Sequence, residues 1–491
     1  MTLGGWHSRV LALVVAGALI LGAGGCTVNP ATGEESFAPF MSPSDEIAVG
    51  REEHPKVLEE FGGAYSDGGI AAYVTSVGQL LAATSEMPKL PFVFTVLDSP
   101  AVNAFALPGG YVYITRGLMA IANSEAELAA VIAHEIGHMT ARHTAQRYSQ
   151  SVLANLGLAV LGAATQSSAV TQLANVGASL YLLGYSRGQE IEADRLGIRY
   201  LARAGYDPRA MASMLTQIEA EDALSARIAE KEGTAKPPEF LSTHPRTETR
   251  VAEAASAAQA IPNRPSAWDR EIYLKRLDGL LWGDSPEEGF IKGRVFAHPE
   301  LLFRFEAPPG FRLQNSAEAV VGEHENGAAL IFDSDSISAN QSIASYLVND
   351  WAQGARLDGA EEVEINGMRA ATARTRVGIE GRPYDARLVA IRFDPRTVYR
   401  FAFLTPPNAT TAMSEDLRRA TYSFRRLSPQ EAAALKPRHL EIVSVRAGDS
   451  PESLARRMAV EDYPLETFRV LNGLKPGQGL EPGARVKLVV E

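Results

Sequence analysis

The sequence predicts an α+β chain of several units: a mainly helical domain with a small sheet, a strand-rich α+β domain, and a small βααβ module. Three observations carry that reading. Around His134-Glu135-Ile136-Gly137-His138, the apolar residues Leu128, Val131 and Ile132 recur at helical spacing. Across residues 301–427 the period changes to two, as in 328–332 and 398–403. The C-terminal stretch 438–491 reads strand, helix, helix, strand. At 491 residues the chain is too long for one core.

The first 25 residues read as a targeting segment. His7 and Arg9 precede an apolar run over 10–21, which is shorter than the ~20 residues of a membrane span. Small residues then lead to Cys26, the only cysteine in the chain, so no intrachain disulfide can form. Ala23-Gly24-Gly25-Cys26 resembles a bacterial lipoprotein cleavage site, which implies lipidation of Cys26 and a stable membrane anchor. Thr27 in place of Asp points to the outer membrane.

Ser124-x-x-Glu127 is a capping box that should start the helix carrying His134 and His138. Two imidazoles four residues apart lie about one turn from each other on one face, so both can reach a single metal ion. Glu135 lies on a neighbouring sector, where it can take a proton from water. A hydrolytic zinc needs a third protein ligand. The extended pattern with Gly and His three and six residues after the second His fails, because those positions are Ala141 and Thr144. His143, five residues past His138, falls on another face, as an outer partner or a surface residue. Glu190 and Asp194 share a helical face, so Glu190 could bind the metal while Asp194 accepts the free N–H of a ligating His. Spacing alone favours a solvated acidic face, and Glu192 stays a rival to Glu190 although helical phase favours Glu190.

HExxH followed by this Glu190-x-x-Ala193-Asp194 stretch resembles the HtpX and CAAX-prenyl-protease family of zinc metallopeptidases, in its BepA-like periplasmic branch. Asn29-Pro30-x-Thr32-Gly33, Asn103-Ala104-Phe105-Ala106-Leu107-Pro108-Gly109-Gly110, and Ser242-Thr243-His244-Pro245 with Arg250 extend the likeness across 29–250. The resemblance implies a zincin-type domain holding one Zn2+ on His134, His138 and Glu190, with Glu135 as general base. His244 and Arg250 follow as candidate oxyanion donors, and His244 could also gate the open position. Apolar and β-branched residues flanking Pro108-Gly109-Gly110 suggest a hairpin, whose edge at Asn103, Ala104 and Phe105 could bind an extended substrate.

Residues 151–183 are apolar but broken by Asn155, Gln166 and Gln172, so two packed helices are expected there rather than a span. A polar, Pro-bearing lid is expected at 231–238 and a linker at 260–266. The boundaries expected are a signal at 1–25, the metallopeptidase domain at 26–262, a connecting helix and linker at 263–300, an α+β domain at 301–430 and a module at 438–491. The α+β domain, with a helix near 342–354, faintly resembles PsbP-like folds. In the module, a strand and turn over 441–449 lead to a helix over 450–458, with Asp449 as N-cap and Pro451 in the first turn. A second helix runs into Leu471-Asn472-Gly473-Leu474, and a strand over 485–490 closes the unit. This resembles a LysM module, which implies binding to N-acetylglucosamine-containing glycan, hence peptidoglycan.

The formal charge of −11 argues against nucleic acid and against electrostatic capture by anionic lipid. The expectation is therefore a lipid-anchored zinc endopeptidase of the bacterial envelope, facing the periplasm. Its substrates would be misfolded or stalled envelope proteins. The rival is a peptidoglycan-bound chaperone or assembly factor whose zinc site is structural or shut. A peptidoglycan hydrolase guided by the LysM module is a further, weaker rival.

Overall fold

The computed structural model describes residues 26–33, 35–37, 41–150, 184–232, 244–245, 249–316, 319–379 and 381–491. The expected signal, the expected helix pair at 151–183 and all but the start of the expected lid lie outside them. No helix among the described residues is long and apolar enough to cross a membrane.

Strands β1 (Cys26–Val28) and β2 (Glu35–Phe37) pair antiparallel around the Asn29–Gly33 turn. Helix α1 (Pro43–Glu60) starts from a capping box of Ser42 and Asp45, and α2 (Gly68–Thr84) from Asp67. A three-stranded sheet follows, in the order β3 (Val93–Leu97), β5 (Tyr111–Thr115), β4 (Ala104–Leu107). Residues 108–110 close the antiparallel β4–β5 hairpin with Gly109 and Gly110 at φ +83° and +104°. A Cβ on Gly109 would fall 2.5 Å from the Glu46 carbonyl, so only glycine lets this turn seat on α1.

Helix α3 (Arg116–Ile121) leads into α4 (Glu125–Thr140), which is buried on all sides. Ser124 accepts from the Glu127 amide as expected, but the return bond falls one residue early. The Glu127 carboxylate takes the Asn123 amide at 2.6 Å and the Ser213 hydroxyl at 2.6 Å, because α6 (Ala210–Glu232) packs against the start of α4. Helix α5 (Arg187–Ala204) runs from a Ser186–Gln189 capping box to Gly205 at φ +94°, and packs on α4. The approach is close: a Cβ on Gly137 would lie 3.0 Å from the Ala193 carbonyl, and one on Gly197 3.1 Å from the His134 amide. Helices α7 (Arg250–Gln259) and α8 (Arg270–Leu277) complete this part.

After a short strand β6 (Leu281–Trp282), β7 (Phe290–Lys292), β8 (Val295–His298) and β9 (Phe303–Glu306) form an antiparallel sheet. A seven-stranded antiparallel sheet then takes up β10 (Arg312–Asn315), β11 (Val320–Glu323), β12 (Ala329–Ser336), β13 (Asp358–Ile365), β14 (Met368–Ile379), β15 (Arg382–Arg392) and β16 (Thr397–Thr405). Its order is β10-β11-β12-β16-β15-β14-β13. Helix α9 (Thr410–Ser423) covers an aromatic core of Phe303, Phe305, Phe332, Phe401 and Phe424. The helix expected near 342–354 is a single turn, Ile343–Ser345, continuing as a π-helix over Tyr346–Trp351.

The C-terminal unit has the expected element order: β18 (Arg438–Ser444), α10 (Pro451–Ala455), α11 (Pro464–Leu471) and β19 (Arg485–Val490), with the two-residue β17 (Arg425–Arg426) lying before it. Ser450, not Asp449, caps α10, because the Asp449 carboxylate is taken by the Arg446 amide. Strand β18 pairs with β19 on one side and β6 on the other. Leu440, Leu454, Phe468 and Leu488 belong to the same core as Ile132, Ile136 and Met214 of the helical domain. The described residues together form an α+β structure.

Candidate metal centre

Helix α4 presents His134 and His138 toward α5, and their Nε2 atoms lie 3.0 Å apart. Glu190, in the first turn of α5, brings Oε1 to 3.4 Å from His138 Nε2 and Oε2 to 3.7 Å from His134 Nε2. His244 completes the group, its Nδ1 3.1 Å from Glu190 Oε1 and 3.4 Å from His134 Nε2. One ligand atom from each of these four lies within 4.8 Å of all the others, and all four residues are buried. Glu192, two residues along α5, points away to His143.

The outward nitrogens decide what the inward ones can do. His134 Nδ1 lies 2.9 Å from Asp194 Oδ1, so its proton is held there. His138 Nδ1 lies 3.0 Å from His143 Nδ1. With both outer nitrogens donating, the two inner Nε2 atoms and the Glu190 carboxylate are acceptors converging on one point. Two imidazoles, a carboxylate and a further His form a donor set that suits a zinc-like divalent cation.

The local charges favour such an ion. Burial alone would raise the Glu190 carboxyl, but attraction to His244 and the hydrogen bond from its ring hold it well below the usual range. Burial likewise opposes ionisation of Asp194, and the bonds from His134 and Arg250 overcome it. Burial pushes His138 well below the usual imidazole range, toward the neutral state a ligand needs.

Glu135 is wholly buried, and neither carboxylate oxygen has a hydrogen-bond partner among the described residues. Among the described residues, His244 Nε2 lies 3.5 Å from Glu135 Oε1. Arg250 lies at the back of the cluster, with Nη1 2.7 Å from Glu190 Oε2 and Nε and Nη2 2.8 and 2.9 Å from the two Asp194 oxygens. Its donors are committed to carboxylates rather than aimed at the front of the site. Asn103, Ala104 and Phe105 are buried at the β4 edge, where β4 packs on α4. Cys26 opens β1.

Tyr185 was not foreseen. Its ring stacks on His138, centroids 3.7 Å apart at 13°, with the Arg147 guanidinium on it at 4.0 Å. The available signal was its place directly before the Ser186 N-cap, where an apolar residue often packs back on the helix start.

Residues 70–258 match Peptidase family M48. The beta-barrel assembly-enhancing protease of Yersinia pestis is 33% identical over 217 residues, covering 42% of this chain and 43% of that protein. The mitochondrial metalloendopeptidase OMA1 of Arabidopsis thaliana is 36% identical over 179 residues, covering 36% of this chain and 33% of that protein. The chain thus spans less than half the length of these relatives. Among solved structures, cyanobacterial PsbP from Synechocystis superposes with a TM-score of 0.23 at 15% identity, over 29% of this chain and 98% of that one, too low a score to define a shared fold. The stretch that matches Peptidase family M48 contains His134, Glu135, His138, Glu190, Asp194, His244 and Arg250.

Proposed function

We propose that this protein is a zinc-dependent endopeptidase of the bacterial cell envelope, acting on misfolded or stalled periplasmic and outer-membrane proteins. The observation that carries the reading is the buried Glu135 carboxylate, without a hydrogen-bond partner among the described residues, beside a convergent acceptor set, since a purely structural site has no use for a base there. His134, His138 and Glu190 would hold the ion. Zinc, when bound, polarises a carbonyl and brings the pKa of water toward neutrality. Glu135 takes the proton of the attacking water and returns it to the leaving amine. Asp194 fixes the His134 tautomer, and Arg250 holds the two carboxylates in register. His244, seated within the ligand cluster, closes the site and must swing away for a substrate carbonyl to enter.

Asn103, Ala104 and Phe105 would offer main-chain hydrogen bonds to an extended substrate, a mode that tolerates sequence and selects unfolded segments. In this reading Cys26 is the lipid anchor, probing from the outer membrane into the periplasm. The 438–491 unit acts as a LysM module on peptidoglycan, and the 301–430 domain, of PsbP-like type, serves docking. The names of the bacterial relatives support the envelope setting. The full burial of His244 favours a second reading, in which the chain is a chaperone or assembly factor whose site stays shut.

The test is incubation of zinc-loaded chain, with and without chelator, against an unfolded protein and against purified glycan. Chelator-sensitive proteolysis is expected. Glu135→Gln should keep zinc and lose cleavage by a factor of about 10²–10⁴. Undiminished cleavage by that variant overturns the mechanism, release of sugars or stem peptides without proteolysis points to a hydrolase, and no turnover of either leaves the chaperone.

A further inference from the structure

The Asn29-Pro30-Ala31-Thr32-Gly33 motif lies far in sequence from the metal cluster, yet it ends on the outer partners of one ligand. The Asn29 side-chain oxygen accepts the Ala31 and Thr32 amides at 2.9 and 3.3 Å, and the Gly33 amide bonds to the Asn29 carbonyl at 2.8 Å. Gly33, at φ +76°, closes this tight turn. The Asn29 amide nitrogen is left to donate outward, and it meets Glu192 Oε1 at 3.2 Å.

The other Glu192 oxygen lies 3.3 Å from His143 Nε2. His143 reaches this position because the chain leaves α4 before it. Arg142 adopts φ +61°, a left-handed conformation costly for a residue with a side chain, and is anchored by Glu46 at 2.6 Å and the Met41 carbonyl at 2.6 Å. A continuing helix would carry His143 round to another face. The turn instead sets its Nδ1 3.0 Å from His138 Nδ1, in a buried position.

One proton arrangement satisfies every contact. His138 Nδ1–H donates to His143 Nδ1, His143 Nε2–H donates to one Glu192 oxygen, and Asn29 donates to the other. This leaves His138 Nε2 as a bare lone pair facing the metal cluster. The arrangement parallels Asp194 on His134, with one extra imidazole between carboxylate and ligand.

We propose that Asn29, Glu192 and His143 form a positioning relay that fixes the tautomer and orientation of His138, so that the N-terminal turn is part of the metal centre. The proposal rests on the reading of His134, His138 and Glu190 as a zinc site. None of the three relay residues touches substrate; each acts through His138.

The test measures zinc affinity of the full chain by competition with a chromophoric chelator, the visible spectrum of the cobalt(II)-loaded protein, and thermal unfolding of the metal-free protein. His143→Ala should weaken zinc about 10–100-fold, the range for lost outer partners of metal ligands. Because His143 is buried, two shape-preserving variants keep the test independent of folding. Asn29→Asp retains the oxygen that builds the turn but loses the donor and sets a second carboxylate against Glu192. Glu192→Gln keeps shape and loses charge. Both should weaken zinc in the same direction and alter the cobalt spectrum, with metal-free unfolding unchanged. Unaltered affinity and spectrum in both variants overturn the relay while leaving the zinc reading intact. Failure of the unmodified chain to bind zinc overturns both.

Discussion

At the scale of single residues, the site is a set of acidic groups whose cost of burial is met by one guanidinium. Glu190 and Asp194 are both removed from water, and Arg250 contacts them with three nitrogens while His134 and His244 supply the remaining donors. His244 is the one member of the ligand cluster that stands on neither α4 nor α5. If it closes the site, His244→Ala should raise the basal cleavage of an unfolded protein several-fold, read as initial rate at saturating zinc. A fall of about 10²–10³ would instead identify His244 as an oxyanion donor and remove the gate. HExxH was legible in the sequence from helical phase, whereas the Glu190/Asp194 pair needed the family resemblance as well, because a solvated acidic face has the same spacing. The partners of Arg250 and the place of His143 were not legible, because they follow from a tertiary contact and from the left-handed turn at Arg142.

At the scale of elements, the geometry of the site is the spacing of two helices. Gly137 stands inside HExxH itself, and its missing side chain lets α5 approach until Glu190 reaches both rings. In an isolated helix Gly→Ala is stabilising by about 1 kcal/mol. Here the added Cβ would sit 3.0 Å from the Ala193 carbonyl and 3.3 Å from Leu196 Cβ, so the helices must part by a few tenths of an ångström. Gly137→Ala should therefore destabilise by about 1–3 kcal/mol net, as overpacking does, measured by urea unfolding of chelator-treated protein. A gain in stability would mean that the helix spacing is not set by this glycine. Element existence was largely legible, from periodicity and caps. The misses lie where a side chain had two possible backbone partners: Glu127 chose Asn123 over Ser124, and Asp449 chose Arg446 over the cap of α10. Local sequence does not decide such choices, because the winner is set by packing from α6 in the first case and by the turn itself in the second.

At the scale of the whole molecule, the C-terminal unit is built into the helical domain rather than attached to it, which its resemblance to a small independent module did not suggest. Strand β19 is buried on both faces along most of its length, and Lys487 in its centre is fully enclosed. Its ammonium donates to the Ala120 and Ala122 carbonyls at 2.7 and 2.8 Å, at the C-terminal end of α3, where a cation is favoured by the helix dipole. Burial, with repulsion from Arg270, pushes the Lys487 pKa well below that of an ordinary lysine, so the site spends desolvation to hold this contact. Helix α11 reinforces it: the Val470 carbonyl accepts from Gln217 of α6, and Arg227 lies over the Tyr463 ring at 4.7 Å. Lys487→Met would fill the space but strand two buried carbonyls, each costing about 1–3 kcal/mol. The expected result is a loss of about 2–4 kcal/mol that lowers the unfolding midpoint of the helical domain and the C-terminal unit together, followed by tryptophan fluorescence and by protease release of each part. If the C-terminal unit alone loosens while the helical domain keeps its midpoint, the continuous core joining them is not a cooperative unit.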